Sequence, residues 1–371
     1  MDFFGVGNVR ERSSEVKETF TLLSLLIFSP YLCIIKSQVK ESMVTLSKSR
    51  LQKIKKNFKG KKIAVIGDMM LDCYFWGEVK RISPEAPVPV VEVDNEFYRF
   101  GGAANCALNI ARLGGKPLPV GIIGKENYGS IFLSLLDESG IDATGILVDD
   151  TRPTTAKTRV IADSQHVVRI DKESKEYISK VTQQKILTFL EEHISSLDGI
   201  ILQDYNKGIL TPPLIQKVIS LANKNNILIT VDPKFLNFFS YKNVTVFKPN
   251  RKEAGDILGM QIRTDAEVTT AGKKLLTKLN AKYVLLTLGE AGIAVFEKGK
   301  ESRMPTKARK VADVSGAGDT VISTLTMALA AGANILEASY LANYAGGLVC
   351  EEVGIIPIEL EKLFSTVSEE L

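Results

Sequence analysis

Val314-Ser315-Gly316-Ala317-Gly318-Asp319-Thr320 puts two glycines and an aspartate at the start of an apolar helical run, Val321, Ile322, Leu325, Ala328 and Leu329. Small residues at a helix start leave backbone N–H groups bare. Those groups point outward with the positive end of the helix dipole, which makes an anion site. A carboxylate beside a bound anion weakens binding by like-charge repulsion. It gains a purpose if it takes a proton from a hydroxyl that attacks a phosphate. The alternative is a glycine-rich turn in which Asp319 is an ordinary first-turn helix charge. The segment by itself does not choose.

Three further segments carry groups of similar chemistry. Gly101-Gly102-Ala103-Ala104-Asn105 opens a helix (Ala107, Leu108, Ile110, Ala111, Leu113) that stops at Gly114-Gly115. The glycine pair lets a ligand approach the backbone, and Asn105 both donates and accepts bonds to hydroxyls. Asn250-Arg251-Lys252-Glu253 follows an apolar run and opens another helix. Asn250 and Glu253, at i and i+3, share a face and suit a hydrated magnesium ion near triphosphate, while a helix cap has the same spelling. Thr287-Leu288-Gly289-Glu290-Ala291-Gly292 ends a strand in a two-glycine loop, fit for nucleotide phosphates or for a plain turn. Asp72 has the reach to accept bonds from vicinal sugar hydroxyls, or it is a surface or capping aspartate. Gly67-Asp68-Met69-Met70-Leu71-Asp72 is not G-x-G-x-x-G, so the dinucleotide fingerprint is missing where it belongs. No G-x-x-x-x-G-K-[ST] segment exists either.

These segments sit at the ends of short apolar runs. Ile63–Ile66, Leu118–Ile123, Gly199–Leu202, Ile227–Val231, Val244–Phe247 and Tyr283–Leu288 alternate with helical patterns such as Val181–Leu197 and Ile215–Ala222. Near-continuous apolar strands alternating with helices imply a mostly parallel sheet covered on both faces. Open sheets of this kind place ligands at the carboxyl ends of their strands. Two stretches break the rhythm, at about 73–100 and 152–172. Both alternate as exposed strands do, and they predict a small antiparallel sheet set into the fold as a lid, a plain edge extension or a dimer surface.

Composition narrows the class. The 371 residues are 45% hydrophobic and 24% charged, with a net charge of +4. That balance is ordinary for a globular protein and too small to imply nucleic acid. Much of the excess lies in one run from Lys48 to Lys62, where Leu51, Ile54 and Phe58 recur at helical spacing. The run reads as an amphipathic helix with a solvated face rather than a membrane-surface patch. Cys33, Cys73, Cys106 and Cys350 form no C-x-x-C pair, and His166 and His193 are the only histidines, which argues against a zinc site and for a reduced, cytoplasmic setting. Residues 1–46 stand apart. Phe20–Ile35 is apolar but shorter than a bilayer span, and it contains Pro30. We expect an upstream extension, with Met43 as the better first residue, and no membrane partner. Residues 47–371 then form one α/β domain.

Taken together, the motifs resemble the ribokinase-like sugar kinases of the phosphofructokinase-B type, over about residue 60 to the end. The resemblance implies a ribokinase-like α/β fold with a β lid, ATP and Mg2+ as co-reactant and cofactor, and a homodimer through the lid; a monovalent cation is a further ligand it admits. It implies Asp319 as catalytic base and Gly316, Ala317 and Gly318 as the anion hole. Asn250 and Glu253 match the family's N-x-x-E element, acting on magnesium through water. Arg251, Lys252, Thr287, Gly289 and Gly292 fall at nucleotide-binding positions, and Asp72, Gly101, Gly102 and Asn105 at sugar-binding positions. Within the family, Gly67–Asp72, the run Arg81-Ile82-Ser83-Pro84-Glu85-Ala86-Pro87-Val88-Pro89-Val90, Thr155–Val160, Asp204–Gly208 and Asp232-Pro233-Lys234 resemble the branch that phosphorylates heptose 7-phosphate. Relatives in that branch carry a second, nucleotidyltransferase domain with an H-x-G-H motif, which neither histidine here fits. A sugar 7-phosphate needs cations away from the transferred phosphoryl group. Lys157 and Arg159 lie two apart on a predicted strand and so face one side. They hold that phosphate, or they make cross-strand charge pairs on a solvent face.

Overall fold

The computed structural model describes residues 46–163, 165–307, 311–352 and 354–371. The apolar run Phe20–Ile35 and the alternative start at Met43 lie outside the described residues. The described chain opens with α1 (Lys48–Phe58) and β1 (Lys62–Gly67), followed by the long strands β2 (Met69–Ile82) and β3 (Pro89–Gly102). Next come α2 (Ala103–Arg112), β4 (Lys116–Ile123), α3 (Asn127–Glu138) and β5 (Ile146–Val148), then a hairpin of β6 (Thr155–Ala162) and β7 (Gln165–Lys172). The alternation resumes with α4 (Lys180–His193), β8 (Gly199–Gln203), α5 (Pro212–Lys224), β9 (Leu228–Asp232), β10 (Val246–Phe247), α6 (Arg251–Leu258) and α7 (Asp265–Leu279). Strands β11 (Tyr283–Thr287), β12 (Ile293–Glu297) and β13 (Lys300–Met304) precede α8 (Ala317–Ala330), α9 (Ile335–Cys350) and α10 (Leu360–Glu370).

Nine strands form the main sheet in the order β13-β12-β11-β10-β9-β8-β1-β4-β5. Its pairs are parallel from β10–β11 to β4–β5, and only the β11–β12 and β12–β13 pairs are antiparallel, so β12 alone is reversed. The central strands are buried along almost their whole length, as a sheet covered on both faces requires. One apolar layer contains Ile63, Val65, Ile322, Leu325 and Leu341, and the other contains Ala64, Ile66, Leu202, Leu214 and Val231. Alternate residues of β1 thus feed opposite cores, which is the period-2 rule at work. Helix α1 buries Leu51, Ile54 and Phe58 completely, while Lys55 and Lys61 reach Glu361 and Asp198. The basic run is therefore an amphipathic helix with a solvated face.

The second sheet has the order β3-β2-β6-β7. It is mixed rather than antiparallel, because β2 and β6 pair in parallel. The reason is topological. Between β2 and β6 the chain passes through β3, α2, β4, α3 and β5, and parallel neighbours need a long connection of this kind rather than a tight hairpin. Its strands lie within Met69–Gly102 and Thr155–Lys172, so the first expected lid segment is longer at both ends and the second begins three residues later.

Candidate active site

Asp319 is the third residue of α8, whose N-cap is Gly316 at φ +78°. A Cβ at 316 would stand 3.1 Å from Asn105 Nδ2 and 3.2 Å from Ile355 Cγ2 in a backbone region that L side chains avoid. The glycine thus lets the helix start press against α2. From the first turn of α2, Asn105 Nδ2 donates to Asp319 Oδ2 at 2.9 Å. From the carboxyl end of β8, Gln203 Nε2 donates to Asp319 Oδ1 at 2.9 Å, and the Tyr205 hydroxyl donates to the same oxygen at 2.7 Å. Asp319 is 3% exposed.

A second layer of charge lies behind it. Asp232 at the end of β9 pairs with Lys248 Nζ at 3.0 Å and accepts from Gln203 Nε2 at 3.1 Å. A Cβ on Gly318 would be 3.6 Å from Asp232 Oδ2 and 3.7 Å from Lys248 Nζ, so the helix start faces this pair directly. Burial pushes the Asp319 carboxyl up to about 6; the bonds from Asn105 and Tyr205 and the Lys248 charge pull the other way, and Asp232 adds to the rise. A buried carboxylic acid that titrates near neutrality is suited to taking and giving a proton.

The lid brings the proposed sugar-side residues to the same place. Cross-strand register sets Arg99, Asp72 and Lys157 in one row and Phe97, Tyr74 and Arg159 in the next, all on one face. Asp72 is buried and forms an ion pair with Arg159, whose guanidinium lies 5.3 Å from the Tyr74 ring centre. A Cβ on Gly101 would collide with Asp72 Oδ2 at 2.3 Å, so glycine is what gives that carboxylate room. Gly102 is the N-cap of α2. Lys157 holds its ammonium 5.4 Å from the Tyr205 ring centre, and burial lowers its pKa. At Arg159 burial works against the charge, but the Asp72 carboxylate more than offsets it and the pKa rises.

The nucleotide-side residues gather one strand further along. Asn250 and Glu253 form a full capping box on α6, with Glu253 N donating to Asn250 Oδ1 at 2.8 Å and Asn250 N to Glu253 Oε2 at 2.9 Å. The cap reading of this spelling is what the structure shows. Asn250 bridges to Thr287, and Arg251 donates to the Leu288 carbonyl at 3.1 Å. Gly289 and Gly292 bound the single turn after β11. Lys252 is turned to solvent, paired with Asp256. The two groups of residues are joined by Lys234, which forms an ion pair with Glu253 while its ammonium lies 5.4 Å from the Tyr205 ring centre.

Sequence reasoning did not select Gln203, Tyr205, Asp232, Lys234, Lys248 or Arg99 as site residues. Five of them lie at or just past the ends of β8, β9 and β10, so a signal existed. Every strand-end polar residue was a candidate, and only the order of strands in the sheet chooses among them. Among the described residues no helix is long and apolar enough to cross a membrane.

Comparison with known proteins gives the family and the fold. The family model described as pfkB family carbohydrate kinase matches residues 60–362. The bifunctional protein HldE of Helicobacter pylori (strain J99) is 43% identical over 303 residues, covering 82% of this chain and 65% of that protein. The bifunctional protein HldE of Geobacter sulfurreducens is 43% identical over 291 residues, covering 78% and 59%. This chain therefore spans about two thirds of the length of such relatives or less. Arabidopsis thaliana ribokinase, solved with ribose and ATP, shares the fold at a TM-score of 0.66 and 21% identity, covering 82% of this chain and 99% of that one. Phosphofructokinase-2 from Escherichia coli shares it at a TM-score of 0.67 and 18% identity, covering 83% and 99%. This chain belongs to the pfkB family of carbohydrate kinases.

Proposed function

We propose that the chain transfers the terminal phosphoryl group of ATP to O1 of D-glycero-β-D-manno-heptose 7-phosphate, giving the 1,7-bisphosphate, an early step toward ADP-heptose for the lipopolysaccharide core. The kinase chemistry is carried by Asp319, buried at a bare helix start and held by three donors. The sugar is supported by the runs Gly67–Asp72 and Arg81–Val90 and by a lid face that offers Lys157 and Arg159 away from the base. In the reaction the acceptor O–H bond breaks toward Asp319, and the freed oxygen pair attacks phosphorus. The bridging P–O bond breaks and ADP leaves. The backbone N–H groups of Gly316 and Gly318 would face the charge that develops on the transferred group, while that of Ala317 donates to the Val314 carbonyl at 3.3 Å.

Among the described residues no group of three or more His, Cys, Asp or Glu side chains gathers round a metal site. That fits magnesium, which is commonly held by one or two protein oxygens and by substrate phosphates. Asn250 and Glu253 would hold it through water, and bound Mg2+ would neutralise phosphate charge. Lys234 pairs with Glu253 and so orients its carboxylate.

A coupled ADP-release assay across free and phosphorylated sugars tests the assignment. The heptose 7-phosphate should have the highest kcat/KM, and a better hexose or pentose phosphate would replace it. The base must be ionised to act, so kcat/KM should fall as pH drops through about 6. A rate that stays flat from neutrality down to well below that value would remove Asp319 from this role. A cytoplasmic location fits ATP as donor, and cell fractionation checks it.

The face of the lid turned away from Asp72 is apolar, with Val93, Val168 and Ile170 each about half exposed. A homodimer through this face is the assembly we propose. Analytical ultracentrifugation should give twice the chain mass, and Val168→Lys should return the monomer.

A further inference from the structure

Asp319 is not held evenly. Its Oδ1 accepts from both Gln203 Nε2 and the Tyr205 hydroxyl, whereas among the described residues its Oδ2 accepts from Asn105 Nδ2. An ionised carboxylate has about four lone-pair sites, two on each oxygen. Oδ1 is therefore full and Oδ2 keeps one free direction. The orientation of Gln203 is set by its surroundings. Its Nε2 faces two carboxylates, on Asp232 and Asp319, which only accept. Tyr205 must likewise donate to an ionised Asp319.

The position of Tyr205 is itself over-determined. Asp68, 1% exposed, accepts from the backbone N–H groups of Tyr205 at 2.7 Å, Lys207 at 3.1 Å and Ile209 at 3.3 Å. Asn206, at φ +56°, lets the loop close round that carboxylate. The ammonium groups of Lys157 and Lys234 both lie 5.4 Å from the Tyr205 ring centre. The hydroxyl is thus aimed at Asp319 by a loop anchored at the end of β1, not by chance rotation.

We infer that Tyr205 is a positioning residue for the base: with Gln203 it closes Oδ1, so that the acceptor hydroxyl delivers its proton to Oδ2. This rests on Asp319 being the base. The other groups facing Asp319 are Asp232, Lys248, Lys234 and the buried Cys106 thiol on α2, and Tyr205→Phe replaces none of them and leaves the ring beside Lys234. That variant keeps the ring, both cation contacts and the loop, and removes one donor to the carboxylate. The Tyr205 bond holds the Asp319 pKa down, so its loss should move the acid limb of kcat/KM upward by about one pH unit. Activity well above the limb should also fall, but by less than in Asp319→Asn, because the ionised base is still held by Gln203 and Asn105. Wild type and variant share the same substrates, so titration of the substrate phosphates cancels in the comparison. A loss of equal size at every pH would mean that Tyr205 serves the loop alone, and the inference would fall. Asp319→Asn is assayed beside it. An inactive Asp319→Asn with an unmoved limb in Tyr205→Phe overturns the inference. An active Asp319→Asn overturns the assignment of the base instead.

Discussion

Asp319→Asn should lower turnover about a hundredfold to ten-thousandfold, the range that a positioned general base contributes. The substitution keeps the shape of the side chain, so sugar affinity should change little. The carbonyl of the new amide can still accept from Gln203 and Tyr205. Its nitrogen would meet Asn105 Nδ2 as a second donor, which Asn105 relieves by turning its own amide at the cost of the 3.3 Å bond its Oδ1 accepts from Asn109 Nδ2. The folded state gains in another way. A carboxyl whose pKa is raised by burial costs stability once the pH exceeds that pKa, here about 6. The amide has no such cost. Near neutrality the variant should therefore melt no lower than the wild type while turning over far more slowly. Near-normal turnover in a folded variant would leave the chemistry without this base.

The second large effect concerns choice of substrate. Arg159→Ala should lower kcat/KM for the phosphorylated heptose about tenfold to a hundredfold, because charged hydrogen bonds contribute roughly 1.5–3 kcal/mol each. The unphosphorylated heptose never made that contact and should lose far less, so discrimination between the two sugars should shrink. Part of the loss is expected in turnover, since binding energy from a non-reacting group also positions the reacting one. The ion pair with Asp72 adds a second consequence. Removing the guanidinium leaves a buried carboxylate without its partner, and that cost falls on both sugars alike. Arg159→Lys separates the two effects, because it keeps a charge for Asp72 but loses the forked contact that suits a phosphate. Equal losses for both sugars in Arg159→Ala would mean that Arg159 serves Asp72 and the lid, and the phosphate site would have to be sought elsewhere.

Much of the architecture was legible because its causes are local. The apolar runs at Ile63–Ile66 and Gly199–Leu202 became β1 and β8, since four or five consecutive buried residues between turn signals suit a covered parallel strand. The helix starts at Gly102 and Gly316 were visible as small-residue clusters before apolar periodicity. Strands β12 and β13 were not anticipated. β13 is a short polar stretch, Lys300–Met304, that joins the sheet only because β12 offers an edge. The lid's parallel pair was also misjudged, because alternation reports a strand but not the direction of its neighbour.

Local chemistry accounts for what the sequence by itself determined here. The class of fold, the helix start that presents Asp319 and the Asn250–Glu253 cap all follow from residues within a turn or two of one another, and propensity, glycine freedom and capping act over that range. The spelling could not say that Gln203, Asp232 and Lys248, each at or just past a different strand end, converge on one carboxylate. Strand order in the sheet decided that. Nor could it say that Asp319 titrates near 6, which depends on water being excluded from all sides at once. The same tertiary packing paired Asp72 with Arg159 and stacked Lys157 on Tyr205, through a register between strands about eighty-five residues apart in the chain. Burial and long-range register are properties of the assembled layers, so they appear only when the layers are in place.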